Sequence, residues 1–237
     1  MALVWEGFRQ ALGLLWSVDR ELLAITWLSL RVSGSATLMA IVLGMPVGLW
    51  LGLSRFRGRR FLLGVVNTGM GLPPVVVGLF ISILLWRSGP LGAWDLLYTP
   101  LAMIMAQAVI AFPIVTGLTC AAVQQLDPRI ALQALALGAS GIQLVWTLAR
   151  EARLPLLAAI MAGFGGVISE VGAVMMVGGN IRGQTRVLTT ATVLEARMGR
   201  FDTAIALSVI LLGLVFVVNA VLTIAQQQEV RPWRRLP

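Results

Sequence analysis

The chain has 237 residues, 58% hydrophobic and 12% charged, with a formal net charge of +8, and its mean hydropathy of +0.90 excludes a water-soluble domain of this size. All 18 basic residues are arginines and histidine is absent, which rules out a phosphate-binding-loop lysine, a Schiff base and a histidine general base. The single Cys120 lies in an apolar run where packing is its expected role, and the positive charge belongs to membrane flanks, with no nucleic-acid partner expected.

Residues 1 to 22 mix Val4, Phe8, Leu12 and Leu15 with Glu6, Arg9, Asp19 and Arg20, the pattern of an N-terminal interfacial helix. Glu6 and Arg9 interrupt the apolar core that a cleaved signal peptide requires. From about Thr26 to Leu53 the chain is apolar and rich in small residues, long enough for a first span. Arg31, near its start, either snorkels to the headgroups or lines a pore. Arg55, Arg57, Arg59 and Arg60 follow as a basic cluster that marks the cytoplasmic side. The second span runs from about Phe61 to Trp86, and Gly69, Gly71 and Pro73-Pro74 predict a kinked helix within it. Residues 87 to 97 are a loop, with Trp94 and Tyr98 as interfacial anchors; the third span, about Thr99 to Val123, contains Gln107 and Pro113.

Residues 124 to 157 are the long break with helical character between apolar segments. Asp127-Pro128 pairs an N-cap acceptor with a residue suited to the first turn, which predicts a helix over Arg129 to Leu137. Gly138 stops it. A second helix begins near Ile142, with Ile142, Val145, Trp146, Ala149 and Ala152 on one face and Gln143, Arg150 and Arg153 toward water; Leu154-Pro155 closes it. The fourth span, about Leu156 to Val177, carries Gly163, Gly165, Gly166 and Gly172 for close helix approach, and also Glu170. Residues 178 to 202 are polar and then helical over Val187 to Met198; the last span covers about Thr203 to Ala225, and Arg231, Arg234 and Arg235 close the chain. Five spans place the termini on opposite sides, the N-terminus extracytoplasmic and the C-terminus cytoplasmic. That arrangement puts ten arginines and three acids inside, against seven and six outside.

Two short helices hinged at Gly138-Ala139-Ser140 and followed by Leu154-Pro155 resemble the EAA loop of ABC-importer permeases, which inserts a coupling helix into the ATPase subunit. Ala134 also matches. Leu132 and Gln133 stand where the family usually has Glu and Ala, and Leu-Pro arrives about one helical turn late. Pro73-Pro74-Val-Val-Val-Gly78, Ser169-Glu170-Val171-Gly172 and residues 178 to 185, GGNIRGQT, resemble the tungstate branch of the type I importer permeases; molybdate members carry similar segments. The resemblance covers about residues 26 to 225. It implies one all-α polytopic membrane domain over 1 to 237, with about five transmembrane helices in the type I permease architecture and a cytoplasmic coupling loop at 124 to 157.

The resemblance further implies a homodimer in membrane lipid, two cytoplasmic ATPase subunits that hold ATP and Mg, and an extracytoplasmic binding protein that delivers an oxyanion, most simply tungstate, with molybdate as the alternative. The chain itself is then expected to have no ATPase site, catalytic residue, cofactor or metal. Coupling falls to Arg129, Leu132, Gln133, Ala134, Gly138, Ala139, Ser140, Leu154 and Pro155. A pathway for an anion needs hydrogen-bond donors that hold weakly, so the candidates are Ser33, Ser35, Thr37, Asn67, Thr68, Gln107, Thr116, Ser169 and Asn180, each of which also suits a packing hydrogen bond. Pro73 and Pro74 join them at the kink, and Glu170 is an orienting or gating residue, because a bare carboxylate in the path would repel the cargo. A channel or secondary carrier is the reading from another class, but such folds typically show internal repeats, and none is convincing here. An intramembrane hydrolase lacks a base.

Overall fold

The computed structural model describes Trp5, Arg9, Gly13 and residues 20–228. Most of the expected interfacial helix at 1 to 22, and the tail arginines 231, 234 and 235, lie outside the described residues. Among the described residues from Arg20 onward the chain is helical without strands: α1 Arg20–Leu53, α2 Arg59–Met70, α3 Pro74–Leu85, a 3-10 turn Gly92–Trp94, α4 Pro100–Gln124, α5 Pro128–Ala136, α6 Gly141–Glu151, α7 Arg153–Ile168, α8 Gly172–Gly178, α9 Leu188–Arg197 and α10 Phe201–Gln228. Among the described residues three helices, Arg20–Leu53, Pro100–Gln124 and Phe201–Ile224, are long and apolar enough to cross a membrane. Two sharply bent pairs, α2 with α3 and α6 with α7, raise the number to five when each pair counts as one span.

Two expected spans are interrupted. The region from Phe61 to Trp86 is not one kinked helix: α2 and α3 meet at 99°. The cause is local, since Pro74 takes the first helical position of α3 while Pro73 is extended at φ −62 and ψ 123, and neither has an N–H with which to continue α2. The stretch Leu156 to Val177 is likewise broken, at Ser169–Val171. Ser169 Oγ donates back to Gly165 O at 2.8 Å, and Glu170 Oε1 accepts the Ala173 N–H at 3.1 Å, so a hydroxyl and a carboxylate take over backbone partners where one helix ends and the next begins.

α4 is the centre of the bundle. It packs on α1, α2, α3, α7 and α8, and Ala102, Met103, Ala106, Ala111 and Val115 on it have no measurable exposure. Small residues let α1 come close. A Cβ added at Gly48 would lie 2.6 Å from Thr116 O, and one at Gly44 2.8 Å from Thr116 Oγ1, so the i, i+4 glycines of α1 set its backbone directly on α4. Gly163 lets α7 approach as well, since an added Cβ would meet the Val115 side chain at 2.8 Å, whereas one at Gly166 would make ordinary contact with the Ile114 side chain at 3.4 Å. One apolar core joins Val32, Val77, Ile81, Leu85, Met103, Val174 and Val177. A second, formed by Leu22, Leu188, Ala206, Leu207 and Ile210, ties the starts of α1, α9 and α10 together.

Candidate functional site

The hairpin α5–α6 is built by local chemistry at each end. Asp127 Oδ1 accepts the Arg129 N–H at 2.9 Å and Pro128 opens α5. Gly138, at φ +82, closes it: its own N–H reaches Leu135 O at 3.0 Å and the Ala139 N–H reaches Ala134 O at 3.0 Å, the paired bonds of a left-handed glycine C-cap. Ser140 then starts α6, with Gln143 Oε1 accepting the Ser140 N–H at 2.8 Å and Ser140 Oγ accepting the Gln143 N–H at 3.4 Å, a reciprocal capping box.

The apolar face of this hairpin differs from expectation. Leu148 and Ala152 are buried, but Ile142 is 86% exposed, Trp146 71% and Leu137 89%, and α5 has no buried residue at all. Leu132 and Leu135 add to the patch, each more than half exposed, and Arg129 and Gln133 are exposed beside it. Ala134 and Ala139 are half-buried. Trp146 and Ile142 therefore do not pack on the bundle. Leu154 and Pro155 do not cap α6 either. They are the second and third residues of α7, which departs at 72°.

Sidedness follows from contacts. A cavity lined by Arg55, Arg59, Asp127, Pro128 and Leu148 joins the basic cluster to the hairpin, and Gln226 Nε2 donates to Leu154 O at 3.2 Å. The end of α10, the hairpin and Arg55 to Arg60 thus share one face of the bundle. The opposite face holds Glu21, Arg182, Glu195 and Arg200, with an Arg182–Glu21 ion pair and an Arg200–Glu195 pair at 2.7 Å.

Five of the expected pathway residues come together around the two helix breaks. Gly78 on α3 lies against Ala173 on α8, where an added Cβ would meet Ala173 Cα at 2.7 Å, and Gly172 packs on Val75, so the starts of α3 and α8 are side by side. Pro73 and Pro74 flank this junction on one side and Ser169 and Glu170 on the other. Gln107, buried on α4, donates from Nε2 to Val167 O at 2.8 Å. Asn180, in the left-handed region at φ 52, donates to Thr190 O at 3.5 Å. Ser33, Ser35 and Thr37 lie apart on α1, Ser33 and Thr37 buried, with Thr37 Oγ1 bonded to Ser33 O at 2.7 Å. Asn67 and Thr68 are exposed on α2, and Thr68 bonds back to Gly64 O at 2.8 Å. Thr116 is buried at the α1–α4 crossing.

Sequence reasoning missed the hydroxyls that clamp the segments on either side of α8. Thr189 Oγ1 donates to Glu170 O at 3.0 Å, Thr185 Oγ1 accepts the Ile181 N–H at 3.0 Å and donates to Gly178 O, and Ser29 Oγ accepts the Leu188 N–H at 2.9 Å. The threonine-rich run from Thr185 to Thr192 was the available signal, because hydroxyls gathered around a glycine-rich turn are positioned to take its unpaired backbone groups.

The sequence pattern of a family described as the binding-protein-dependent transport system inner membrane component matches residues 44–234. The chain is 42% identical over 228 residues to the tungstate uptake system permease protein TupB of Peptoclostridium acidaminophilum, covering 96% of this chain and 100% of the relative. It is 34% identical to the protein of the same name from Campylobacter jejuni, over 91% and 90% of the two chains. Its fold is that of a chain of the MetNI methionine ABC transporter in an inward-facing conformation, with a TM-score of 0.75 at 19% identity over 91% of this chain and 99% of that one. With its helical bundle, its membrane-length apolar helices and a family match across most of its length, the chain belongs to the binding-protein-dependent transport system inner membrane components.

Proposed function

We propose that this chain is the membrane permease of an ATP-driven importer for a tetrahedral oxyanion, and that the oxyanion is tungstate. The observation that carries the reading is near full-length similarity at 42% identity to a permease named for tungstate uptake. In this reading two copies of the chain pair in the membrane and enclose the pathway. Two ATPase subunits dock on the α5–α6 hairpins, and an extracytoplasmic binding protein delivers the cargo to the opposite face. The hairpin face is the cytoplasmic one, which puts the C-terminus inside and the N-terminus outside.

The chain does no covalent chemistry in this scheme. ATP and Mg act on the partner, and closure of the ATPase dimer moves α5 and α6 as a stiff capped unit, rocking the spans from inward-open to outward-open. The exposed Leu132, Leu135, Leu137, Ile142 and Trp146 suit this role, since interface anchors combine an apolar centre with a polar rim. Glu170 caps α8 through Ala173 N–H, and this engagement with backbone keeps a carboxylate near the pathway occupied as an orienting group.

The test is uptake by the complete system, permease with its ATPase and binding protein, in liposomes supplied with ATP. Tungstate should accumulate at low external concentration, and molybdate less at the same concentration. Accumulation of molybdate alone would reassign the cargo, and accumulation of neither would reject the oxyanion reading.

A further inference from the structure

On the face opposite the hairpin lies a cavity of about 280 Å³ that none of the expected site residues occupies. Charged groups reach it from every element around it: Glu21 from α1, Arg182 and Arg186 from the loop after α8, Glu195 from α9, and Arg200 with the Thr203 hydroxyl at the start of α10. Apolar side chains of α1 and α10, Leu22 and Leu207 among them, close the rest.

The three arginines are not equivalent. Arg182 is held by Glu21, with Nε donating to Oε1 at 2.7 Å, and its side chain is 72% exposed. Arg200 is held by Glu195, with its own side chain 56% exposed. Arg186 is different: its Nε is shielded from solvent and has no hydrogen-bond partner, and its backbone is fixed by the bond from its N–H to Ile181 O at 3.0 Å. A guanidinium donor withdrawn from water and left without an acceptor is unfavourable, so the Arg186 side chain gains by turning toward an acceptor in the cavity it lines.

We propose that this cavity is an entry site for a tetrahedral oxyanion, with Arg186 as its principal donor. The inference rests on the reading of the chain as an oxyanion permease, and adds where the anion is first received. A guanidinium presents parallel N–H groups that match two oxygens of such an anion, and Thr203 offers a hydroxyl. Arg182 and Arg200, on long and largely exposed side chains, turn from their carboxylates toward the anion without leaving the site. Among the described lining residues three guanidiniums face two carboxylates, a net positive charge of one, enough to attract a dianion and too little to trap it. A transit site requires that balance, because cargo that binds strongly does not leave. The cavity exceeds one tetrahedral anion in volume and leaves room for part of its hydration shell.

The test uses the complete transporter in liposomes. Arg186→Gln is expected to lower the tungstate uptake rate at saturating loaded binding protein by about tenfold, the change that follows from replacing one charge-assisted hydrogen bond with a neutral one. The binding-protein concentration for half-maximal uptake should stay unchanged, Arg186→Lys should restore part of the rate, and Arg87→Gln, an exposed arginine outside the cavity, should behave as wild type. Wild-type rates in Arg186→Gln would overturn the site. So would a shift confined to the half-maximal binding-protein concentration, which would make the patch a protein-docking surface. An effect present only in liposomes with anionic lipid would assign the arginine to a phosphate headgroup and also overturn it. A wild-type transporter that moves neither tungstate nor molybdate removes the underlying reading, an outcome distinct from a permease indifferent to Arg186. Should Arg186→Gln fail to fold, modification of wild-type Arg186 by phenylglyoxal, followed by mass spectrometry, decides the matter: tungstate must slow it at Arg186 and not at Arg87, and equal rates reject the site.

Discussion

The contact between α1 and α4 allows a prediction whose sign changes along a single helix. Gly48→Ala would place a methyl group 2.6 Å from Thr116 O and 2.7 Å from Thr119 Cβ, whereas ordinary contact begins at 3.4 Å. The nearest obstacle is backbone on a fully helical neighbour, so no rotamer change relieves it, and the two helices must part by about 0.8 Å. Overpacking of this kind costs about 1–3 kcal/mol, and the intrinsic preference of a helix for alanine returns about 0.5–1 kcal/mol, leaving a net loss of about 0–2.5 kcal/mol, centred near 1. Gly34, on the same helix, has nothing within 4 Å of an added Cβ, so Gly34→Ala keeps the helix gain without the clash. Thermal unfolding of the purified variants in one detergent, followed by fluorescence-detected gel filtration, should place Gly48→Ala below wild type and Gly34→Ala at or above it. A Gly48→Ala protein as stable as wild type would show that α1 and α4 are not in backbone contact there, and the reasoning about this crossing would fall.

Gly138→Val should leave the protein in the membrane at normal levels, since nothing lies within 4 Å of that Cβ. It should nevertheless abolish uptake and weaken co-purification of the ATPase, because a β-branched residue at φ +82 costs about 1–2 kcal/mol and loosens the cap between α5 and α6; full transport would remove the hairpin from the coupling role. Trp146→Asp changes a side chain that is 71% exposed, so expression and melting temperature should hold while ATPase pull-down falls, and an undiminished pull-down would place docking elsewhere. Glu170→Gln retains an acceptor for the Ala173 N–H but loses the charge at the start of α8, worth about 0.3–1 kcal/mol. It should slow uptake more than Arg31→Gln, whose parent side chain is exposed on α1; equal rates would return Glu170 to a packing role. A reporter active only in the cytoplasm should work after Arg60 or near Ser140 and fail after Gly89 or Gly183, and activity at Gly183 would sink the five-span topology.

The membrane class, the helical content and the shape of the hairpin were legible in the sequence because their causes are local. Hydrophobic length declares a span, Asp127-Pro128 and Ser140 with Gln143 declare helix starts, and Gly138 declares a stop; all of these act within a few residues of where they stand. Pro73-Pro74 likewise marked the position of the first break, although not its angle of 99°, which depends on how α3 packs against α8. The second break, at Ser169–Val171, was not legible, since apolar residues on both sides read as one span, and the local bonds of Ser169 and Glu170 are joined there by one from Thr189, 19 residues on, to Glu170 O. Tertiary structure alone decided that Ser29 on α1 would receive the N–H of Leu188, 159 residues away. It also decided that Trp146 and Ile142 would face outward while Leu148 is buried, and that Arg186 would lie in a cavity with Glu21 and Arg200. Side-chain chemistry names the donors in advance, but burial and proximity depend on the packing of helices distant in sequence, and these determine which donors are left with an acceptor still to find.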